Sequence, residues 1–166
     1  MDYEFFMSKA LDEAEQALSH GEFPVGCIMV HEDDVIATGA RHRTRPDDRN
    51  EVDHAEMVAL RRLVNHGQTI DREKVTVFIT LEPCLMCYAA LIINGIRRVV
   101  YAYEDVMGGG TGLDLTRLNP IYAEAVMVVI PHVLRKESLS LLKRFFSDPD
   151  NRYLQGTLLA KHALEQ

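Results

Sequence analysis

His54 and Glu56 stand two positions apart in the stretch DHAE, and Cys84 and Cys87 stand three apart in EPCLMC. Cysteines at i and i+3 share one face of a helix, so both sulfurs reach a single metal ion. A helix start also lowers thiol pKa through its unpaired N–H groups and its dipole, which favours the thiolates that bind metal. His54 and Glu56 cannot ligate alike at their spacing, so one binds the metal and the other points into the space beside it. A closed structural zinc site takes four Cys or His ligands, whereas His54, Cys84 and Cys87 leave one position open. An open position on zinc activates water near neutral pH, and a neighbouring carboxylate, Glu56, takes up and passes on the proton. Two blander possibilities compete with this hydrolytic site. One is a CxxC redox pair. The other is a structural zinc whose fourth ligand is Cys27 or another histidine. Cys27 sits among Ile and Val, as a buried small hydrophobe does, and His20, His31, His66, His132 and His162 have no partner at metal spacing.

These side chains need elements to position them. An amphipathic helix opens the chain and stops at His20-Gly21. VGCIMV and VIATGA flank HEDD as a hairpin. A polar loop with Pro46 leads to Asp53, an expected N-cap for a helix that begins at His54 and closes at Gly67. VTVFITL is a buried strand, and Pro83 precedes a helix over 84–95. RRVVYAY and AVMVVI are further strands, separated by a glycine-rich turn and a short helix. Helices over LRKESLSLLKRFF and within the last residues complete the chain. Helix, hairpin, then alternating strands and helices predict an α/β fold with a mixed five-stranded sheet covered on both faces.

With 166 residues, 47% of them hydrophobic, the chain is the size of one domain with a full core. We expect a single domain over 1–166, with a C-terminal helical extension from about 148. No signal peptide or apolar stretch of membrane-spanning length is visible. The three cysteines cannot form a paired disulfide framework. A cytoplasmic protein with no membrane association is expected. The net charge of −7 argues against a large nucleic-acid footprint, although RHRTRPDDR is locally basic.

HAE at 54–56 with PCLMC at 83–87 matches the signature of zinc deaminases that act on bases. The chain resembles the cytidine and deoxycytidylate deaminase superfamily. FPVGCIMV, HAEMVAL, TLEPCLMC, IRRVVYA, GGGTG and SLLKRFF resemble the branch of tRNA adenosine, guanine and cytosine deaminases. The resemblance implies a three-layer α/β/α sandwich, one Zn2+ per subunit on His54, Cys84 and Cys87, and Glu56 as the catalytic proton carrier. It also implies a homodimer. Phe23 and Val25 would line the base pocket, the Ala55 and Cys84 N–H groups would face the water or a substrate carbonyl, and Glu82 and Pro83 would stand beside the substrate.

Two departures bear on substrate. Relatives carry an Asn shortly after the second strand where this chain reads GARHR, so Arg41 or His42 takes its place, unless a shifted loop brings in Asn50. An arginine there would favour a carbonyl-rich or anionic ligand. The chain also continues beyond the FF-containing helix into a tail that is not basic, which is either a lid suited to a small enclosed substrate or only a packing or dimer helix. We therefore expect hydrolytic deamination of a free nucleobase, nucleoside or related heterocycle. Wobble-adenosine deamination in tRNA is the alternative and makes tRNA the less favoured partner. A riboflavin-type pyrimidine deaminase would need a longer cysteine spacing, and a non-catalytic scaffold would have lost Glu56.

Overall fold

The computed structural model describes residues 1–65, 67 and 70–166. Helix α1 (Tyr3–Ser19) leads into β1 (Gly26–His31) and β2 (Asp34–Ala40), followed by α2 (Ala55–Asn65) and β3 (Thr76–Leu81). Then come α3 (Leu85–Ile93), β4 (Arg98–Tyr103), α4 (Pro120–Ala123), β5 (Val128–Ile130), α5 (Arg135–Ser147) and α6 (Leu158–Glu165). The sheet order is β2-β1-β3-β4-β5. β1 runs antiparallel to both β2 and β3, while β3, β4 and β5 are parallel. The mixed five-stranded sheet and its helices make the expected α/β/α sandwich. No helix among the described residues is long and apolar enough to cross a membrane.

Strand alternation divides the core. Ile28, Val30, Phe78, Val100 and Ala102 pack against Phe6, Met7 and Ala10 of α1. Their neighbours Cys27, Met29, Val77, Ile79 and Val99 face the opposite side, where α2 and α3 supply Ala59, Leu63 and Leu91. This period of two puts a continuous apolar strand such as TVFITL between two helical layers. Two glycines let helices come close to the sheet. A Cβ on Gly26 would overlap the Ala10 carbonyl oxygen of α1, and one on Gly39 would overlap the Ala55 carbonyl oxygen of α2. Gly39 therefore sets how deeply the start of α2 can sit, and that start carries His54 and Glu56.

The start of α2 differs from the sequence expectation. Asp53 does not cap it; its carboxylate takes hydrogen bonds from Arg61, about two turns into α2, at 2.9 Å, and from the Asn50 amide, at 2.8 Å. The helix ends at Asn65, and Gly67 follows with φ at +71°. His66 lies outside the described residues. The tail is less helical than expected, because α6 occupies only Leu158–Glu165, capped by the Thr157 hydroxyl.

Candidate active site

Two helix starts meet below the C-terminal end of β3. Cys84 caps α3 in extended conformation, Cys87 lies one turn inside it, and His54 immediately precedes α2. The His54 Nδ1 atom is 3.6 Å from the sulfur of Cys84 and 3.6 Å from that of Cys87. The three ligand atoms all lie within 4.8 Å of one another. A tetrahedral zinc with Zn–S of about 2.3 Å and Zn–N of about 2.1 Å holds nitrogen and sulfur about 3.6 Å apart. The donor set thus fits the ion.

Its protonation points the same way. Cys84 is held down to about 4, first by the Cys87 thiol bonding to it, with burial opposing and His54 assisting. Cys87 is raised, first by that same bond and then by burial. Two thiolates this close, one buried and one half-buried, repel each other, and a divalent cation would relieve that conflict. For His54, burial opposes the charged ring, but the Cys84 sulfur and the Glu56 carboxylate outweigh it and raise its pKa. Glu56 is 4% exposed, and burial pushes its carboxyl up to about 7. A buried carboxyl near neutrality suits proton transfer in both directions. Cys27 is fully buried with its thiol pKa raised by burial, and it has no part in this cluster.

A cavity of about 190 Å³ opens onto this cluster. It is below the ~300–1,000 Å³ of sites for drug-sized ligands, and so suits one heterocyclic ring. Phe23, Val25, Arg41, Ala55 and Glu82 are in its walls, together with His54, Glu56 and Cys84. His42 and Pro83 are not among the wall residues. The His42 ring instead lies 3.6 Å from Asp53 on the outside of the loop. Asn50 does not reach the cavity either; its side-chain oxygen accepts from the N–H groups of Val52 and Asp53, closing the turn before α2.

Arg41 occupies the wall without offering what the sequence led us to expect. It is 3% exposed, and its guanidinium donates to the carbonyls of His42, Asn50 and Asp53 at 2.7–3.1 Å. It also donates to the Glu51 carboxylate at 2.9 Å and to the Tyr153 hydroxyl at 3.3 Å. Arg41 binds its own loop, so its donors do not select a carbonyl-rich ligand. The Glu82 carboxylate is likewise engaged, by the backbone and hydroxyl of Thr111 and the N–H of Asp105. That contact, with Gly110 N–H donating to the Pro83 carbonyl at 2.8 Å, folds the GGGTG turn onto the cysteine loop.

Sequence reasoning missed Glu51, Asp105, Met107, Tyr153, Leu154 and Leu159, which also line the cavity. Glu51 and Asp105 belong to loops with no motif spacing. Tyr153, Leu154 and Leu159 come from the tail, whose one visible signal was its continuation past the FF pair.

The model of the cytidine and deoxycytidylate deaminase zinc-binding region matches residues 1–103. The chain belongs to this deaminase family. It is therefore a zinc-binding hydrolase acting on C–N bonds, which releases ammonia from an amine-bearing ring. Among curated relatives of this deaminase, tRNA-specific adenosine deaminase 2 of Danio rerio is 33% identical over 85% of the chain and 69% of its own length. The tRNA-specific adenosine deaminase of Bacillus subtilis is 30% identical over 87% and 89%. A solved structure from work on A-to-I editing by tRNA:A34 deaminases superposes with a TM-score of 0.63. It is 30% identical and covers 76% of this chain and 96% of its own. A structure in complex with 2,6-diaminopurine reaches 0.71 at 23% identity, covering 92% and 85%, and shares the fold.

These relatives overturn the expectation of a free nucleobase or nucleoside, and with it the ranking of tRNA as the less favoured partner. Both clues behind that expectation have physical explanations. Net charge sums the whole surface, whereas a nucleic-acid contact depends on local charge. An enclosed, ring-sized cavity also accepts a base flipped out of a polynucleotide, with the rest of the strand outside.

Proposed function

We propose that this deaminase converts adenosine to inosine at the wobble position of tRNA. The observation that carries this reading is the run of tRNA-specific adenosine deaminases that align along most of the chain, at 30% identity over 87% of it in the Bacillus subtilis case. His54, Cys84 and Cys87 would hold the zinc, which would lower the pKa of a water at the site. Glu56 accepts a proton from the attacking water and delivers it to the ring nitrogen next to the amine-bearing carbon. It then carries the second proton to the departing amine. The C–N bond breaks, a carbon–oxygen bond takes its place, and ammonia leaves. Phe23, Val25 and Ala55 bound the base and keep bulk water from Glu56. The Ala55 and Cys84 N–H groups orient the water or the nascent carbonyl.

The working form is a cytoplasmic homodimer. Leu85, Met86 and Ile93 line the outer side of α3 and are exposed, as are Leu118 and Ile121 of the adjoining segment. An apolar face of that kind on a water-exposed helix favours a second copy of the chain. Light scattering should give twice the chain mass, and Ile93→Glu should halve it.

The deciding test is inosine formation in an anticodon stem-loop by the zinc-loaded protein, beside free adenine, adenosine, guanine and cytosine. Stem-loop turnover that falls steeply with salt, as phosphate contacts require, supports the reading. Turnover of a free base with an inert stem-loop overturns it.

A further inference from the structure

The C-terminal segment reaches the cavity through one carboxylate. Tyr153, between α5 and α6, is 7% exposed, and its hydroxyl donates to Glu51 Oε2 at 2.8 Å. The same oxygen accepts from Arg41 at 2.9 Å and faces the free ring nitrogen of His54 at 3.9 Å. The guanidiniums of Arg41 and Arg49 lie over the Tyr153 ring at 5.5 and 5.3 Å. On the cavity side, that ring packs against Phe23, with centroids 5.4 Å apart.

The chain just after Tyr153 is bent around this contact. Leu154 adopts left-handed backbone at φ +56°, and Gly156 does so at +72°. Leu154 is a costly residue in that region, so its conformation is held by its surroundings. The double bend turns Tyr153 and Leu154 inward and then starts α6, whose Leu159 completes the same wall. A merely stabilising tail would have no need to reach a loop residue adjoining His54.

We infer that Tyr153 and Glu51 form a latch that holds the C-terminal segment as a wall of the base cavity, making both of them positioning residues for the base to be deaminated. The inference rests on the deaminase site at this cavity. It uses the tRNA reading only for the substrate in one of its two assays.

The test is a double-mutant cycle on the full-length, zinc-loaded protein with Tyr153→Phe, Glu51→Met and the pair. Phe keeps the ring in the core, and Met keeps the bulk while removing the acceptor. Hydrogen exchange of the amides of 151–158 should quicken on the order of tenfold in each single variant, the effect of losing one hydrogen bond to a charged group. The double variant should fall short of the sum of the two singles, because both changes break the Tyr153–Glu51 bond, although each also removes a separate bond to Arg41. With the stem-loop, Tyr153→Phe should raise KM by a similar factor, leave kcat within about twofold and leave the zinc content unchanged. Unaltered exchange, or two additive effects, would overturn the latch. So would a fall in kcat at unchanged KM, which would place Tyr153 in the chemistry rather than in the wall. Exchange needs no substrate, so an inert stem-loop would count against the tRNA reading and leave the latch to be judged on the amides.

Discussion

The metal corner and the base-facing wall occupy one cavity, yet they are built in opposite ways. The corner takes Cys84 and Cys87 from the N-cap and first turn of α3 and adds His54, just before α2, and Glu56 from its first turn. Its geometry follows from helical spacing once two helix starts are brought together. The wall combines Phe23, Arg41, Glu51 and Tyr153, with 112 residues separating Arg41 from its partner Tyr153. No local rule fixes that contact. The difference explains why reaction type is readable from a short motif while substrate is not: zinc chemistry needs a few atoms at fixed distances, and a base pocket needs only a shape.

Cys87→Ser should lose zinc by elemental analysis and reduce turnover to background, because the site then has too few soft ligands. Glu56→Gln should retain zinc and the native circular dichroism but lower kcat by about 10²–10⁴-fold, the range for removing a general acid–base. Retained turnover in that variant would remove Glu56 from the mechanism.

Changes at the wall and the scaffold should act more on stability than on chemistry. Gly39→Val drives a side chain into the Ala55 carbonyl, and overpacking of that kind costs about 1–3 kcal/mol. A thermal midpoint lowered by several degrees should come with a loss of activity, since α2 and His54 move together; an unchanged midpoint would refute the tight approach. Arg41→Lys cannot replace a planar fork that serves three carbonyls and a carboxylate. Arg41 itself is buried and its acceptors only partly so, so the loss should be at the lower end of the range of about 1–3 kcal/mol for an unpaired buried group. Urea unfolding should register that loss, and retained stability would show that the loop closes without its clamp.

The smallest effect lies remote from the cavity. Arg135 holds Glu104 down to about 2, from its ordinary 4.5, through a pair of hydrogen bonds, with His162 of α6 3.3 Å away. A carboxylate with depressed folded-state pKa contributes stability that is fully present above about 4.5 and is lost as pH falls toward 2. Glu104→Gln should therefore flatten the melting profile across that acid window and change it little at neutral pH. Parallel profiles for both proteins would show that the pair contributes nothing to folding.

The histidines show how far residue type alone can mislead. His132 and His162 have no partner in the sequence pattern, yet both lie within reach of Glu104, at 3.6 and 3.3 Å. Arg41 misled in the other direction. Its position in GARHR invited a ligand-binding role, but burial and five acceptors make it the clamp of its own loop. Asp53 had the character of an N-cap and became the partner of Arg61 and Asn50, because a carboxylate takes the strongest donors in reach and the long Arg61 side chain reaches back from about two turns into α2.

What the amino-acid sequence determined by itself was periodic or closely spaced. The buried strands, the two helix starts, the His-Cys-Cys metal set and the placing of a carboxylate beside it all follow from rules that span a few residues. Tertiary structure decided the rest: that Gly39 admits α2 against β2, that Arg41 is consumed by its neighbours, and that Tyr153 closes the cavity through Glu51. Each of these depends on which distant groups compete for the same donor or the same volume, and that competition exists only once the chain has packed.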